Sequence, residues 1–216
     1  MEKTIEKAKS IANENEKLIA NILHDIKSTL YSIKIALQNK LDSDLNKDIF
    51  ETTLDAIKYI ENFLVNYSFK EGKFNNKFVL CDIKKMINQK IESYKYLFIN
   101  KNICIDFILQ EDEFLVNSIE IFLSSIIGNI ISNIAFHARC NDSAVIELYK
   151  QNEFVIAEFR NYYSSKDNNF NMGLDFCREL AMLTKINLKF SKTKDTVCVK
   201  LRIPVSKKLK RQIVNV

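Results

Sequence analysis

The stretch Asn21-Ile-Leu-His-Asp-Ile-Lys-Ser-Thr-Leu30 lies midway along a long amphipathic segment that we predict to be helical. Apolar residues recur there at spacings of three and four, as in a helix that buries one side: Ile19, Ile22, Ile26, Leu30, Ile33 and Leu37. His24 lies about 200° from Ile22 around such a helix and therefore points to solvent. Asp25 is its neighbour, and Ser28 and Tyr31 share its face. An imidazole in this position is either an ordinary surface histidine or a phosphate-carrying nucleophile, and this segment leaves both open.

We expect residues 1–70 to form a helical hairpin that carries this histidine. One helix is predicted over 3–39, a turn rich in Asp and Ser follows at 39–44, and a second helix spans about 47–68. The second helix has its own pattern of Ile49, Thr53, Ala56, Ile60, Phe63 and Tyr67. Two helices with one apolar seam each cannot enclose a core, so we predict a homodimer whose hairpins form a four-helix bundle.

Residues 77–216 have a different pattern and predict a second domain behind a polar joint at 70–76. Strand patterns occur at 101–109, 144–150, 153–160, 186–190 and 197–203, and helical patterns at 82–98, 119–138 and 173–184. Helices combined with mostly antiparallel strands favour a two-layer α/β sandwich. The chain as a whole is therefore predicted to belong to the α+β class.

The composition excludes several classes of protein. Three glycines and one proline in 216 residues favour long helices over turn-rich sheet proteins. Five scattered cysteines without a C-x-x-C pair, and only two histidines, are typical of free thiols in a reducing compartment and not of a metal site. Polar residues interrupt the long uncharged run at 121–138, so we expect a cytoplasmic protein that does not enter the membrane. The net charge of +5 comes partly from a short basic tail, and we expect no nucleic-acid partner.

At residues 24–30 the chain resembles the catalytic core of a two-component sensor histidine kinase. The phosphohistidine motif of that family, H-[DE]-x-x-N-P-L, is matched there, with Ser28 and Thr29 at the asparagine and proline positions. The family joins a dimerisation and phosphotransfer hairpin to an ATP-binding sandwich of the gyrase/Hsp90 (GHKL) type. The resemblance covers nearly all of the chain, and its motifs occur in the family's order.

The nucleotide-binding motifs of the family are only partly matched. The asparagine motif resembles residues 129–137, in which Asn129 and Asn133 are retained, and the glycine motif resembles 171–174, in which Gly173 remains. The resemblance implies that the two asparagines could hold Mg²⁺. They are equally ordinary as polar residues of a helix.

The departures from the family concern the nucleotide pocket. Asn161 stands where the family has the aspartate that reads adenine, and Phe136 stands where it has a phosphate-binding lysine. Only one glycine of the phosphate loop survives, and the lid is shortened to 162–172. We therefore expect a degenerate ATPase-like domain that does not bind ATP. Its lost pocket is expected to be lined or filled by Phe136, Tyr162 and Tyr163.

The resemblance and its departures together imply a protein that controls the phosphorylation state of a response regulator receiver domain without autokinase activity. In related bifunctional members, the residue four after the histidine orients a water that attacks the regulator's aspartyl phosphate, and the regulator supplies Mg²⁺. Ser28 occupies that position. The predicted catalytic residues are His24, Asp25, Ser28 and Thr29.

Three alternatives stay open. His24 could carry phosphate between regulators as an ATP-independent histidine phosphotransferase, with Asp25 orienting the imidazole. The chain could also be a still-active histidine kinase, or a non-catalytic dimeric interaction module. Replacement of His24 by Ala should abolish phosphotransfer, whereas hydrolysis could survive it and should fail when Ser28 is replaced by Ala.

Overall fold

In the computed structural model the chain separates into two compact units, residues 1–75 and 76–216, and each is described by itself. The structure describes residues 44–70, 77–163 and 174–205, together with residues 19, 23, 26–28, 30, 31, 33, 34 and 37. Residues 39–43 of the predicted turn (39–44) and 71–76 of the joint (70–76) lie outside the described residues, as do 164–172 of the shortened lid (162–172) and 171–173 of the glycine motif (171–174).

The first unit contains a long helix, α1 (Asp44–Lys70), and every described residue between 19 and 37 is also helical. The buried side chains of α1 are Phe50, Thr53, Leu54, Ile57, Ile60, Val65 and Tyr67. Two members of the predicted apolar stripe, Ile49 and Phe63, are exposed in the single chain. Apolar residues spaced by three and four cover a wide stripe of the helix surface. One partner helix buries only part of that width.

The apolar face of the preceding helical residues is divided in the same way. Ile19, Ile26 and Ile33 follow one another at intervals of seven and are 46%, 43% and 38% exposed. Leu23, Leu30 and Leu37 follow the same interval and are half-buried. The single stripe predicted for this helix is therefore two parallel rows, of which one is covered within the unit.

The second unit is a two-layer sandwich, as predicted. Its helices are α2 (Ile83–Asn100), α3 (Glu120–His137) and α4 (Leu174–Leu183). Its strands are β1 (Val79–Asp82), β2 (Cys104–Leu109), β3 (Leu115–Ser118), β4 (Ser143–Gln151), β5 (Phe154–Tyr162), β6 (Asn187–Lys192) and β7 (Thr196–Pro204). Five strands form one sheet in the order β2-β4-β5-β7-β6, in which β2 pairs parallel to β4 and the other pairs are antiparallel.

Strands β1 and β3 pair antiparallel in a small second sheet that the pattern did not predict. Each strand has four residues, which is too short to show a convincing alternation. Asp82 was assigned to the following helix. It instead ends β1 and caps α2, since its side chain accepts a hydrogen bond from the Lys85 backbone N–H at 3.1 Å.

The two faces of the five-stranded sheet differ. Along β4, Ala144, Ile146 and Leu148 are buried, whereas the alternating residues are only partly covered. We call the partly covered side the open face of the sheet. The buried side contributes to the core with α3. Among the described residues, α3 is the one helix long and apolar enough to cross a membrane by length and composition, and 61% of it is buried inside the protein.

Candidate functional site

Helix α3 holds two of the asparagines that the sequence singled out. Asn129 and Asn133 are 3% and 8% exposed in a helix whose other buried side chains are mainly apolar. A spacing of four residues places them one turn apart on the same face. The Asn129 side-chain Nδ2 donates to the Ser125 backbone oxygen at 3.0 Å, which directs its carbonyl oxygen away from its own helix backbone.

The end of β5 holds the third asparagine. Asn161 is 4% exposed, and its Nδ2 donates to the Tyr162 backbone oxygen at 2.9 Å. The same oxygen accepts a hydrogen bond from the Arg139 backbone N–H at 3.0 Å, and Ala138 forms an isolated antiparallel bridge with Tyr163. The end of β5 is therefore fastened to the segment that follows α3.

Phe136 occupies the position where the family has a phosphate-binding lysine. Its ring meets the Tyr94 ring edge-on, with centroids 6.2 Å apart and an interplanar angle of 77°. The Lys101 ammonium donates to the Phe136 backbone oxygen at 2.5 Å. This last turn of α3 is thus packed against α2 by an aromatic contact. The ammonium of Lys101, which directly follows α2, binds the Phe136 backbone oxygen.

The expectation that Tyr162 and Tyr163 line or fill one pocket does not hold, because the two side chains lie on different sides of the strand. Tyr162 is 41% exposed and lies on the open face, because consecutive residues of a strand point to opposite sides. The Tyr163 hydroxyl donates to the Thr193 backbone oxygen at 3.2 Å, and the Lys192 ammonium lies 4.3 Å from its ring centroid. The Tyr163 ring therefore packs on the β6–β7 turn.

The first unit holds the other predicted site. Ser28 is helical and exposed, while His24, Asp25 and Thr29 lie outside the described residues. Near Ser28 along the helix, the Tyr31 hydroxyl donates to Glu61 Oε1 at 3.0 Å, and the Lys27 ammonium lies 3.0 Å from the same oxygen.

Burial, followed by the Glu61 charge and its hydrogen bond, raises the pKa of Tyr31 well above its usual range. The sequence pattern had indicated neither Lys27 nor Glu61. A pairing between residues so far apart in sequence leaves no periodic signal. Among the described residues, no group of three or more His, Cys, Asp or Glu side chains is placed to hold a metal ion.

Three solved structures with a similar fold are histidine kinases. The Acinetobacter baumannii histidine kinase AdeS matches with a TM-score of 0.58 at 11% identity, covering 85% of this chain and 98% of that one. The cytoplasmic segment of the histidine kinase QseC gives a TM-score of 0.54 at 12% identity, covering 69% of this chain and 95% of that one. The fold is that of a histidine kinase core. The nucleotide-free catalytic domain of the histidine kinase ThkA gives a TM-score of 0.53 at 14% identity, covering 59% of this chain and 97% of that one.

A likeness in sequence accompanies the histidine kinase fold. The sensor protein KdpD of Clostridium acetobutylicum is 25% identical to this chain over 172 residues. The match covers 73% of this chain and 19% of KdpD, so the chain spans about a fifth of the length of that relative. No protein-family model matches the chain.

Proposed function

We propose that this histidine-kinase-like chain acts in two-component signalling, where it removes phosphate from the aspartyl phosphate of a response regulator without phosphorylating itself. The observation that carries the proposal is the exposed side chain of Ser28 in a helical part of the first unit. Ser28 follows His24 by four residues in the sequence, a separation of about one turn in a helix. The histidine kinase fold of the second unit supports a place in this class of signalling.

In the proposed reaction, the Ser28 hydroxyl holds a water in line with the phosphorus atom of the regulator's acyl phosphate. The water oxygen forms the new P–O bond, and the bond between phosphorus and the aspartyl oxygen breaks. The carboxylate and inorganic phosphate leave, and the water's proton passes to solvent or to the neighbouring imidazole. The Mg²⁺ that neutralises the phosphate belongs to the regulator.

The packing of Phe136 supports the absence of autokinase activity. A lysine at this position would offer a cation to phosphate, whereas the Phe136 ring packs against Tyr94. Asn161 adds to the argument, because a neutral amide makes a weaker hydrogen bond to a base than a carboxylate does.

A still-active kinase is the second candidate, and one observation favours it. Because Nδ2 of Asn161 is engaged with the Tyr162 carbonyl, its Oδ1 is left as an acceptor, the role that an exocyclic amino group of a base requires. Asn129 and Asn133 are buried polar side chains on the neighbouring helix. ATP-independent phosphotransfer through His24 is the remaining alternative.

We further propose that the hairpin forms a homodimer in the cytoplasm. The exposed row Ile19, Ile26 and Ile33 has the interval of seven residues that coiled helices use to pair. Ile49 and Phe63 add two exposed apolar side chains on α1. A row of this kind is stabilised when a second copy removes it from water.

The test uses receiver domains charged with labelled acetyl phosphate and the purified full chain. We expect the chain to release inorganic phosphate without acquiring label, and the His24→Ala variant to retain this activity. The Ser28→Ala variant should lose roughly 10–100-fold in rate, because the water is no longer oriented.

Ser93→Ala is the matched control, since Ser93 is an exposed helical serine in the second unit. Its rate should equal that of the wild type. Label on His24 after incubation with labelled ATP would establish the kinase alternative. Label passed from one regulator to His24 and then to another would establish phosphotransfer.

A further inference from the structure

A cavity of about 340 Å³ lies on the open face of the sheet, where β5 ends and β4 and β7 begin. Its volume falls within the range of about 300–1,000 Å³ that small-molecule sites occupy. Six side chains that alternate onto this face line it: Ser143, Val145, Arg160, Tyr162, Thr196 and Cys198. Asn161 and Val197 also border the cavity, although strand alternation turns their side chains toward the opposite layer.

The strand register explains the shape of the cavity. Val145, Arg160 and Cys198 are direct cross-strand neighbours on three adjacent strands. Tyr162 and Thr196 form the next row toward the strand ends. Because neighbouring strands lie about 4.8 Å apart, the short side chains leave a shallow floor beside the taller Arg160 and Tyr162.

Two guanidinium groups, of Arg160 and Arg139, lie at or near the cavity. Arg160 Nη2 lies 3.0 Å from a Glu147 oxygen and its Nε lies 3.5 Å from a Glu158 oxygen, so these contacts engage two of its five N–H donors. The Arg139 guanidinium lies 5.1 Å from the Tyr162 ring centroid. Glu147 and Glu158 hold the Arg160 guanidinium in one orientation and partly neutralise its charge.

We propose that this cavity binds a small planar aromatic carboxylate. The aromatic ring stacks against the exposed Tyr162 ring, and the carboxylate accepts hydrogen bonds from the Arg160 N–H groups that Glu147 and Glu158 do not engage. A singly charged carboxylate fits better than a doubly charged group such as phosphate, because Glu147 and Glu158 flank Arg160. The Lys200 ammonium, 3.1 Å from Glu158, offsets only one of these two charges. The planar fork of a guanidinium also matches a carboxylate.

A ligand in this cavity would contact the end of β5, where Asn161 lies. The Tyr162 backbone oxygen accepts hydrogen bonds from both the Asn161 side chain and the Arg139 backbone. A ligand ring stacked on Tyr162 therefore lies one residue from Asn161, whose side chain belongs to the other face of the sheet. The NMR signal of the Asn161 backbone amide should report whether the cavity is occupied.

The test is a titration of the isotopically labelled full chain with 2-naphthoate, followed through its backbone amide signals. Saturable shifts are expected at Arg160, Asn161 and Tyr162, with an affinity about tenfold above that for cyclohexanecarboxylate, which has the charge without the flat ring. Inorganic phosphate should not compete. Equal affinity for the two carboxylates, competition by phosphate, or shifts confined to other surfaces would overturn the proposal.

Variants locate the site. Tyr162→Ala should weaken 2-naphthoate binding about tenfold. Tyr149→Ala, at a tyrosine on the same face but outside the cavity, should leave it unchanged. Equal effects of the two substitutions would contradict the assignment.

A second readout needs no substitution. Burial, followed by Glu158, raises the pKa of the Cys198 thiol, so its alkylation is followed at alkaline pH. Saturating 2-naphthoate should slow alkylation of Cys198 about tenfold and leave the exposed Cys140 unaffected. Unprotected Cys198 at saturation would exclude a ligand in this cavity.

Discussion

At the scale of single residues, α2 and α4 both end on a left-handed residue that is not glycine. Asn102 has a φ of 52° and Lys185 a φ of 58°. After Lys185, the Ile186 N–H donates to the Ala181 oxygen at 2.9 Å, while the Lys185 N–H donates to the Met182 oxygen at 3.3 Å. This is the Schellman pattern, in which the left-handed position is usually glycine.

Lys185→Gly should therefore stabilise the protein. Glycine adopts the left-handed conformation without the steric cost that a Cβ brings, and part of that gain is offset by its greater freedom in the unfolded chain. We expect the free energy of unfolding in urea to rise by about 0.5–1 kcal/mol. Lys185→Ala, which removes the exposed side chain but keeps the Cβ, should show no such gain. Equal changes for the two variants would show that backbone strain is not the cause.

At the scale of elements, the connection from α3 to β4 is closed by one aspartate. Asp142 accepts a hydrogen bond from the Ser143 backbone N–H at 2.8 Å, and Arg139 donates to it through Nε at 2.8 Å and Nη2 at 2.6 Å. The Ser143 N–H, followed by Arg139, lowers the pKa of the Asp142 carboxyl.

A pKa that is lower in the folded state stabilises the fold at pH values above the unfolded pKa of Asp, near 4. That contribution is lost as the pH falls through the folded pKa. The wild type should therefore exceed Asp142→Asn in free energy of unfolding at pH 7, and the difference should shrink toward pH 2–3. Asp175→Asn is the control, since Asp175 forms an exposed pair with Arg178 at the same spacing. A pH-independent difference for Asp142→Asn would contradict the ionic origin.

At the scale of the whole molecule, the exposed apolar row of the hairpin predicts self-association. Ile26 lies at its middle, so Ile26→Asp should place a charge in the proposed interface. We expect the dimer dissociation constant to rise about 30-fold or more, the equivalent of roughly 2 kcal/mol, in sedimentation equilibrium.

Ile99→Asp is the matched control, because Ile99 is 69% exposed but belongs to the second unit. Its dissociation constant should equal that of the wild type. A wild-type chain that stays monomeric at micromolar concentration, or an Ile26→Asp variant that dimerises normally, would show that the homodimer prediction is wrong.

Long elements with a strong period were predictable from the sequence. The helix predicted at 119–138 is α3, the strand predicted at 144–150 is β4 with one more residue at each end, and the strand predicted at 153–160 is β5, which begins one residue later and ends two residues later. Their patterns extend over enough residues to separate a period of 3.6 from a period of two. Strands β1 and β3 were not predicted, because four residues are too few to show an alternation of apolar and polar side chains.

The candidate site divides in a similar way. The sequence by itself singled out the candidate residues by their chemistry: three asparagines, a serine four residues after a histidine, and a phenylalanine at the position of a lysine. Only the tertiary structure decided that the Tyr163 ring packs on the β6–β7 turn, that Phe136 packs on Tyr94, and that Glu61 meets both Lys27 and Tyr31. The physical reason is that periodicity reports the environment of one element, whereas a contact between elements depends on how two of them pack together.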